Sequence, residues 1–225
     1  MALIRIDNQI VDENFVVGEG EKLSLNIVTL ESGKPCKISA VLENNASFAV
    51  AFADFGSWTG EVIIDVYLNG ENANFDFHCA SYCSVNENKR FEVNAFHKGR
   101  AGKSLVSCYG IAADHGVIRF EGASKIEKES IGSSTRQEAK AILFDRYSQG
   151  FCSPVLKIEE NEIEASHAAS VGRVNDDHLF YLTSRGLTKD EAKKLIVLGH
   201  LKPIVNYVDD ESIKEAIVKR IEERV

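Results

Sequence analysis

Apolar residues alternate with polar ones from the start of the chain to about Ile163. Leu23, Leu25 and Ile27 set one parity, and Ile38, Ala40 and Leu42, then Phe48, Val50 and Phe52, repeat it. Val62, Ile64, Val66 and Leu68 run into Asn69-Gly70. Phe75, Phe77 and Cys79, then Phe91, Val93 and Ala95, continue the series. A period of two puts one face of each strand on a core. Gly56, Asn69-Gly70, Gly99, Gly110, Gly116 and Gly132-Ser133-Ser134 punctuate the runs as turns do. No segment of helical period intervenes, which argues against strand–helix–strand units. A sandwich, a barrel or a solenoid of stacked rungs remains. Short, numerous strands, few hairpin signals and only three prolines lean towards the solenoid.

After Val174 the texture changes to helix. Asn175 is an N-cap, with Asp176 and Asp177 in a first turn where carboxylates suit the helix dipole. Leu179, Phe180 and Leu182 form an apolar stripe, and Gly186 fits a stop. Thr188 and Glu191 predict a capping box for a second helix carrying Ala192, Leu195, Ile196 and Leu198. Pro203 kinks or ends it. Asp209 or Asp210 starts a third, with Ile213, Ala216, Ile217 and Ile221 at helical spacing. Helices this short cannot bury their stripes on one another completely. Some apolar surface must meet the β-region or a partner.

The 225 residues suffice for one large domain or a large and a small one. A net charge of −8 argues against a general binder of nucleic-acid backbones. MALIRIDNQIVDENF carries acids where a signal peptide needs an apolar run, and no stretch approaches membrane-span length. Five scattered cysteines in such a chain read as reduced thiols of a cytosolic protein.

Three motifs fail on their own terms. Ala101-Gly102-Lys103-Ser104 looks like the end of a phosphate-binding loop, but position 97 is His97 rather than glycine and LVSCYG reads as strand. His78, Cys79 and Cys83 lack ligand spacing, and strand parity turns Cys79 inward and His78 outward. Glu159, Glu160, Glu162 and Glu164 read as a solvated edge and turn that also guards against edge-to-edge pairing. No serine or cysteine sits in a nucleophile elbow.

Two blocks carry a family likeness. One runs from Arg136-Gln137-Glu138 to Pro154-Val155-Leu156-Lys157-Ile158. The other is Ala165-Ser166-His167-Ala168-Ala169-Ser170-Val171-Gly172-Arg173, continuing through Leu179-Phe180-Tyr181-Leu182 and Ser184-Arg185-Gly186. Together they resemble the C-terminal signature of the SufB/SufD family of iron–sulfur cluster assembly scaffolds, in the SufD version found in Gram-positive bacteria. The resemblance covers about the last two-fifths of the chain. It implies a right-handed parallel β-helix followed by a small helical domain, divided here into residues 1–171 and 172–225. SufB-type subunits carry a functional cysteine upstream of the signature histidine and a glutamate directly after it. Here Glu138-Ala139-Lys140 holds no cysteine and Ala168 follows His167, which makes the chain SufD-like.

The resemblance further implies a non-catalytic scaffold. His167, at a strand end before a Gly-Arg turn, becomes the candidate for the cluster-assembly interface and for an iron ligand. A transient iron–sulfur cluster would be shared with a partner subunit and not held tightly by this chain alone. Expected partners are a SufB-like subunit or a second copy, through the last rungs, and a SufC-like ATPase. The ATPase-docking candidates are Leu179, Phe180, Leu182, Leu195 and Ile196. Full SufD chains are longer, with an N-terminal region not seen in this sequence. Two rival readings are a structural β-solenoid homodimer and a carbohydrate-active β-solenoid enzyme, the latter with Trp58, Tyr67 and Tyr109 as its available aromatic platforms.

Overall fold

A computed structural model describes the backbone of residues 1–225 and every side chain but that of Asn8. Thirteen strands follow in order: β1 (Ala2–Ile6), β2 (Glu13–Val17), β3 (Lys22–Thr29), β4 (Cys36–Leu42), β5 (Ser47–Asp54), β6 (Gly60–Leu68), β7 (Asn74–Cys83), β8 (Asn88–His97), β9 (Lys103–Ala112), β10 (Val117–Ile126), β11 (Ser134–Leu143), β12 (Gln149–Ile158) and β13 (Glu164–Arg173). Odd strands form one sheet and even strands the other, each in sequence order. All their pairings are parallel. The chain is therefore a β-solenoid of about six turns.

Alternation explains the coil. Each strand turns one parity between the sheets, and strict register stacks like positions into columns: Phe48 on Phe75, Phe52 on Cys79 and Cys108, Val62 on Phe91 and Phe120. Phe91 lies at the middle, with Phe52, Trp58 and Phe120 at centroid distances of 5.4, 6.0 and 5.7 Å. Gly70 is required at its corner because a Cβ there would come within 2.1 Å of the Asn44 backbone nitrogen.

One corner buries charge. Lys89 Nζ, fully enclosed, donates to Asp54 Oδ2 at 2.9 Å, Gly56 O at 2.8 Å and Tyr82 O at 3.0 Å. Asp54 also accepts from Thr29 Oγ1, Ser81 Oγ and Trp58 Nε1. Thr29, Asp54 and Ser81 are register partners, so stacking itself assembles the cage.

The tail comprises α1 (Asp176–Ser184), α2 (Lys189–Leu201), a 3-10 turn (Lys202–Tyr207) with Pro203 at its start, and α3 (Glu211–Glu223). Asn175 and Asp210 cap α1 and α3, and Thr188 and Glu191 form the predicted capping box. The tail folds back over the outer face of the odd-strand sheet. Val197, Leu201, Ile204, Val208, Ile213, Ile217 and Ile221 pack there on Ala51, Ala53, Phe55, Ala80 and Ile111. Arg224 pins the last turn to Glu87 at 3.0 Å.

Two details differ from the sequence pattern. The buried stripe of α2 is Ala192, Val197 and Leu201, rotated from Leu195 and Ile196, because the face is chosen by the sheet it lands on. Gly172-Arg173 is strand rather than turn: β13 matches all ten residues of β11, from Ser134↔Glu164 to Leu143↔Arg173, which places His167 within the strand and not at its end.

Candidate functional site at the open end of the coil

β12 and β13 are the last strands of their sheets, and no further rung covers them. Every residue of β13 is exposed. β12 alternates half-buried Gly150, Cys152, Pro154 and Leu156 with exposed Phe151, Ser153 and Val155. The half-buried set faces inward, since Cys152 stands on the buried Phe120.

Register fixes the direction of His167. Its partner Gln137 is buried between the sheets, and Val106 lies below that, so His167 continues an inward column at the uncovered mouth. Its neighbours of the same parity, Ala165 and Ala169, are small. Across the mouth the Cys152 thiol contacts Ser170 O at 3.7 Å and, chiefly through burial, its pKa is pushed up to about 11. Sequence reading set Cys152 aside because its spacing does not match the family cysteine, and passed over Gln137 because ASHAAS carries no apolar alternation from which parity could be set. Matching β13 to β11 residue for residue would have shown Gln137, and matching β12 to β10 would have shown Cys152. Among the described residues, no three His, Cys, Asp or Glu side chains converge as a metal set.

The other expected positions separate into two groups. Phe180 is 74% exposed and Leu195 49%, while Leu179, Leu182 and Ile196 are half-buried. No residue of α1 is buried. Tyr181 is also exposed, so α1 and α2 each carry apolar side chains that the solenoid does not bury. The aromatic positions of the carbohydrate reading do not form a platform. Trp58 is buried, Tyr67 stacks on Phe96 at 4.8 Å, and Tyr109 bonds Glu138 beneath His200. Glu160 caps the turn before β13 by accepting from Glu129 N and Asn161 N. Lys103 and Ser104 open β9, so strand rather than helix follows the Ala101-Gly102 turn.

Sequence comparison agrees with the geometry. A family model described as the SUF system FeS cluster assembly, SufBD core domain, matches residues 13–200. The chain belongs to the SufBD core family. The iron-sulfur cluster assembly protein SufD of Bacillus subtilis is 34% identical over 139 residues, 62% of this chain and 32% of that protein. SufD of Escherichia coli is 25% identical over 158 residues, 70% of this chain and 37% of its own. The SufBD family protein Rv1461 of Mycobacterium tuberculosis is 28% identical over 139 residues, 62% of this chain and 16% of that protein. The matched stretch thus spans between about a sixth and a little over a third of these relatives.

Two histidines away from the mouth set a pH response. Burial holds His97 in the coil and His200 in the tail near a pKa of about 4. The unfolded chain takes up these protons first. Stability is therefore full above about pH 6.5 and falls as pH drops towards 4, by up to about 3 kcal/mol per group. Urea midpoints measured from pH 7 to 4.5 should show this decline, and His97→Gln should reduce it by about half, leaving the share of His200. A wild-type midpoint constant over that range would contradict the assignment.

Proposed function

We propose that this chain acts as a SufD-like, non-catalytic scaffold in iron–sulfur cluster assembly. Its open mouth seats a SufB-like subunit or a second copy of itself, and the exposed face of α1 and α2 docks a SufC-like ATPase. The observation that carries the reading is His167, inward-facing on a terminal strand with no residue buried. An imidazole there is a competent iron ligand. The remaining ligands must come from another subunit, which matches a cluster held transiently between two chains. Phe180 and Leu195 supply the apolar anchors that helix docking needs.

Reconstitution of the full chain with SufB-like and SufC-like subunits tests this. His167→Ala should lower cluster yield about tenfold or more, on the scale of losing a metal ligand or its support, without changing the mass of the complex. Phe180→Asp should release the ATPase while leaving the other subunit bound. Unchanged cluster yield in His167→Ala removes the imidazole from the chemistry, and ATPase retention by Phe180→Asp removes α1 from docking. A dimer formed by this chain alone would identify a second copy as an occupant of the mouth.

A further inference from the structure

A chain of buried polar side chains lies beneath the terminal strand. His97 Nε2 and Ser104 Oγ share a hydrogen bond of 2.8 Å, and Ser104 and Thr135 share another of 2.8 Å. Thr135 Oγ1 donates to Ser124 Oγ at 2.7 Å, and Gln137 Nε2 donates to the same oxygen at 2.7 Å. The chain ends at Gln137. With its amide nitrogen turned to Ser124, its Oε1 is left buried, with no donor among the described residues. Buried acceptors in this condition are uncommon and ask for an explanation.

The next inward side chain in the column is His167, the register partner of Gln137 on the adjacent strand. Ala165 and Ala169, flanking it on the same face, carry no side-chain donor. Pro154 opposite carries none either, and the Cys152 thiol is a weak one. The imidazole of His167 is the one strong side-chain donor that register places next to Gln137.

We propose that Gln137 is the positioning residue for His167: its side-chain carbonyl accepts a hydrogen bond from one ring N–H and leaves the lone pair of the other nitrogen aimed out of the mouth. Fixing the tautomer through the remote nitrogen is how histidine ligands to metals are oriented. The proposal rests on the reading of His167 as an iron ligand, and the bond it names is not formed in the structure, where Gln137 Oε1 has no partner among the described residues; the test is made on the isolated chain. The competing donor is a water. A gap of about 20 Å³ lined by Gln137, Cys108, Ala139 and Pro154 has room for one.

The test is the tautomer ratio of His167, read from long-range proton–nitrogen NMR spectra of the full chain without iron, at about pH 8.5 where ordinary imidazoles are neutral. His167→Ala assigns the signals. The ratio should change about fivefold between wild type and Gln137→Met, the effect of one net hydrogen bond. Gln137→Glu, which keeps the acceptor, should hold the wild-type ratio. Identical ratios in wild type and Gln137→Met overturn the proposal and favour the water. Should Gln137→Met fail to fold, folded wild type is compared with the urea-unfolded chain, and equal ratios there overturn it as well. Cluster yield plays no part, so this result can fail while the scaffold reading stands.

Discussion

Replacing Lys89 with methionine is expected to destabilise the fold by about 3–5 kcal/mol, the cost of removing one partner from a buried ion pair. Methionine fills the volume of the lysine stem, so the loss is electrostatic rather than a cavity. Asp54 would keep Thr29, Ser81 and Trp58 as donors but lose the one cation within bonding distance among the described residues, and Gly56 O and Tyr82 O would each lose their ammonium partner. Glu87, 3.6 Å from Nζ, would be left with Arg224 as its cation beside the Ser84 N–H, so the damage should spread to the attachment of the tail. Denaturant midpoints measure the effect. Lys125→Met is the control: its pairs with Glu127 and Glu159 are partly exposed on the outer face, and its midpoint should move far less. Equal midpoints for the two variants would show that the cage contributes nothing through burial. The double variant Lys89→Met with Asp54→Asn should recover part of the loss, because the uncompensated charge is gone.

Phe91→Ala should cost about 3–5 kcal/mol, by lost transfer free energy and a cavity that the coil cannot collapse to fill. The ring is fully buried and touches aromatic neighbours from both sheets and a corner: Phe52, Trp58 and Phe120. Parallel ladders on both sides hold the sheets at a fixed spacing, so neighbouring rungs cannot move inward independently. Phe91→Leu should recover more than half of the loss. If Phe91→Ala falls below about 1 kcal/mol, the core relaxes far more freely than a stacked ladder permits.

The strands were legible because the coil buries one parity without exception at its centre. Phe48, Phe75, Phe77 and Phe91 announce that parity in sequence and are all fully buried. Helix ends were legible for the same local reason, since Asn175, Thr188, Glu191 and Asp210 satisfy backbone groups a few residues away. The faces of the helices were not. Whether Leu195 or Val197 turns inward depends on a sheet far away in sequence. The ion cage was equally hidden, because Thr29, Asp54, Ser81 and Lys89 come from four strands and none belongs to a local motif. At the mouth, the resemblance picked out His167, but only register showed which way it faces and what lies beneath it.

Ser47, Asn74, Lys103, Ser134 and Glu164 are successive register partners, so the chain advances by whole coils. Each added or deleted coil would shift the terminal imidazole along the long axis by about 4.8 Å while preserving the cross-section. The tail, by contrast, is glued at fixed height to β5, β7 and β9. Coil number thus behaves as a ruler between the attached tail and the uncovered end of the coil. Evolution could retune that distance by duplication alone, with no new contact invented at either end.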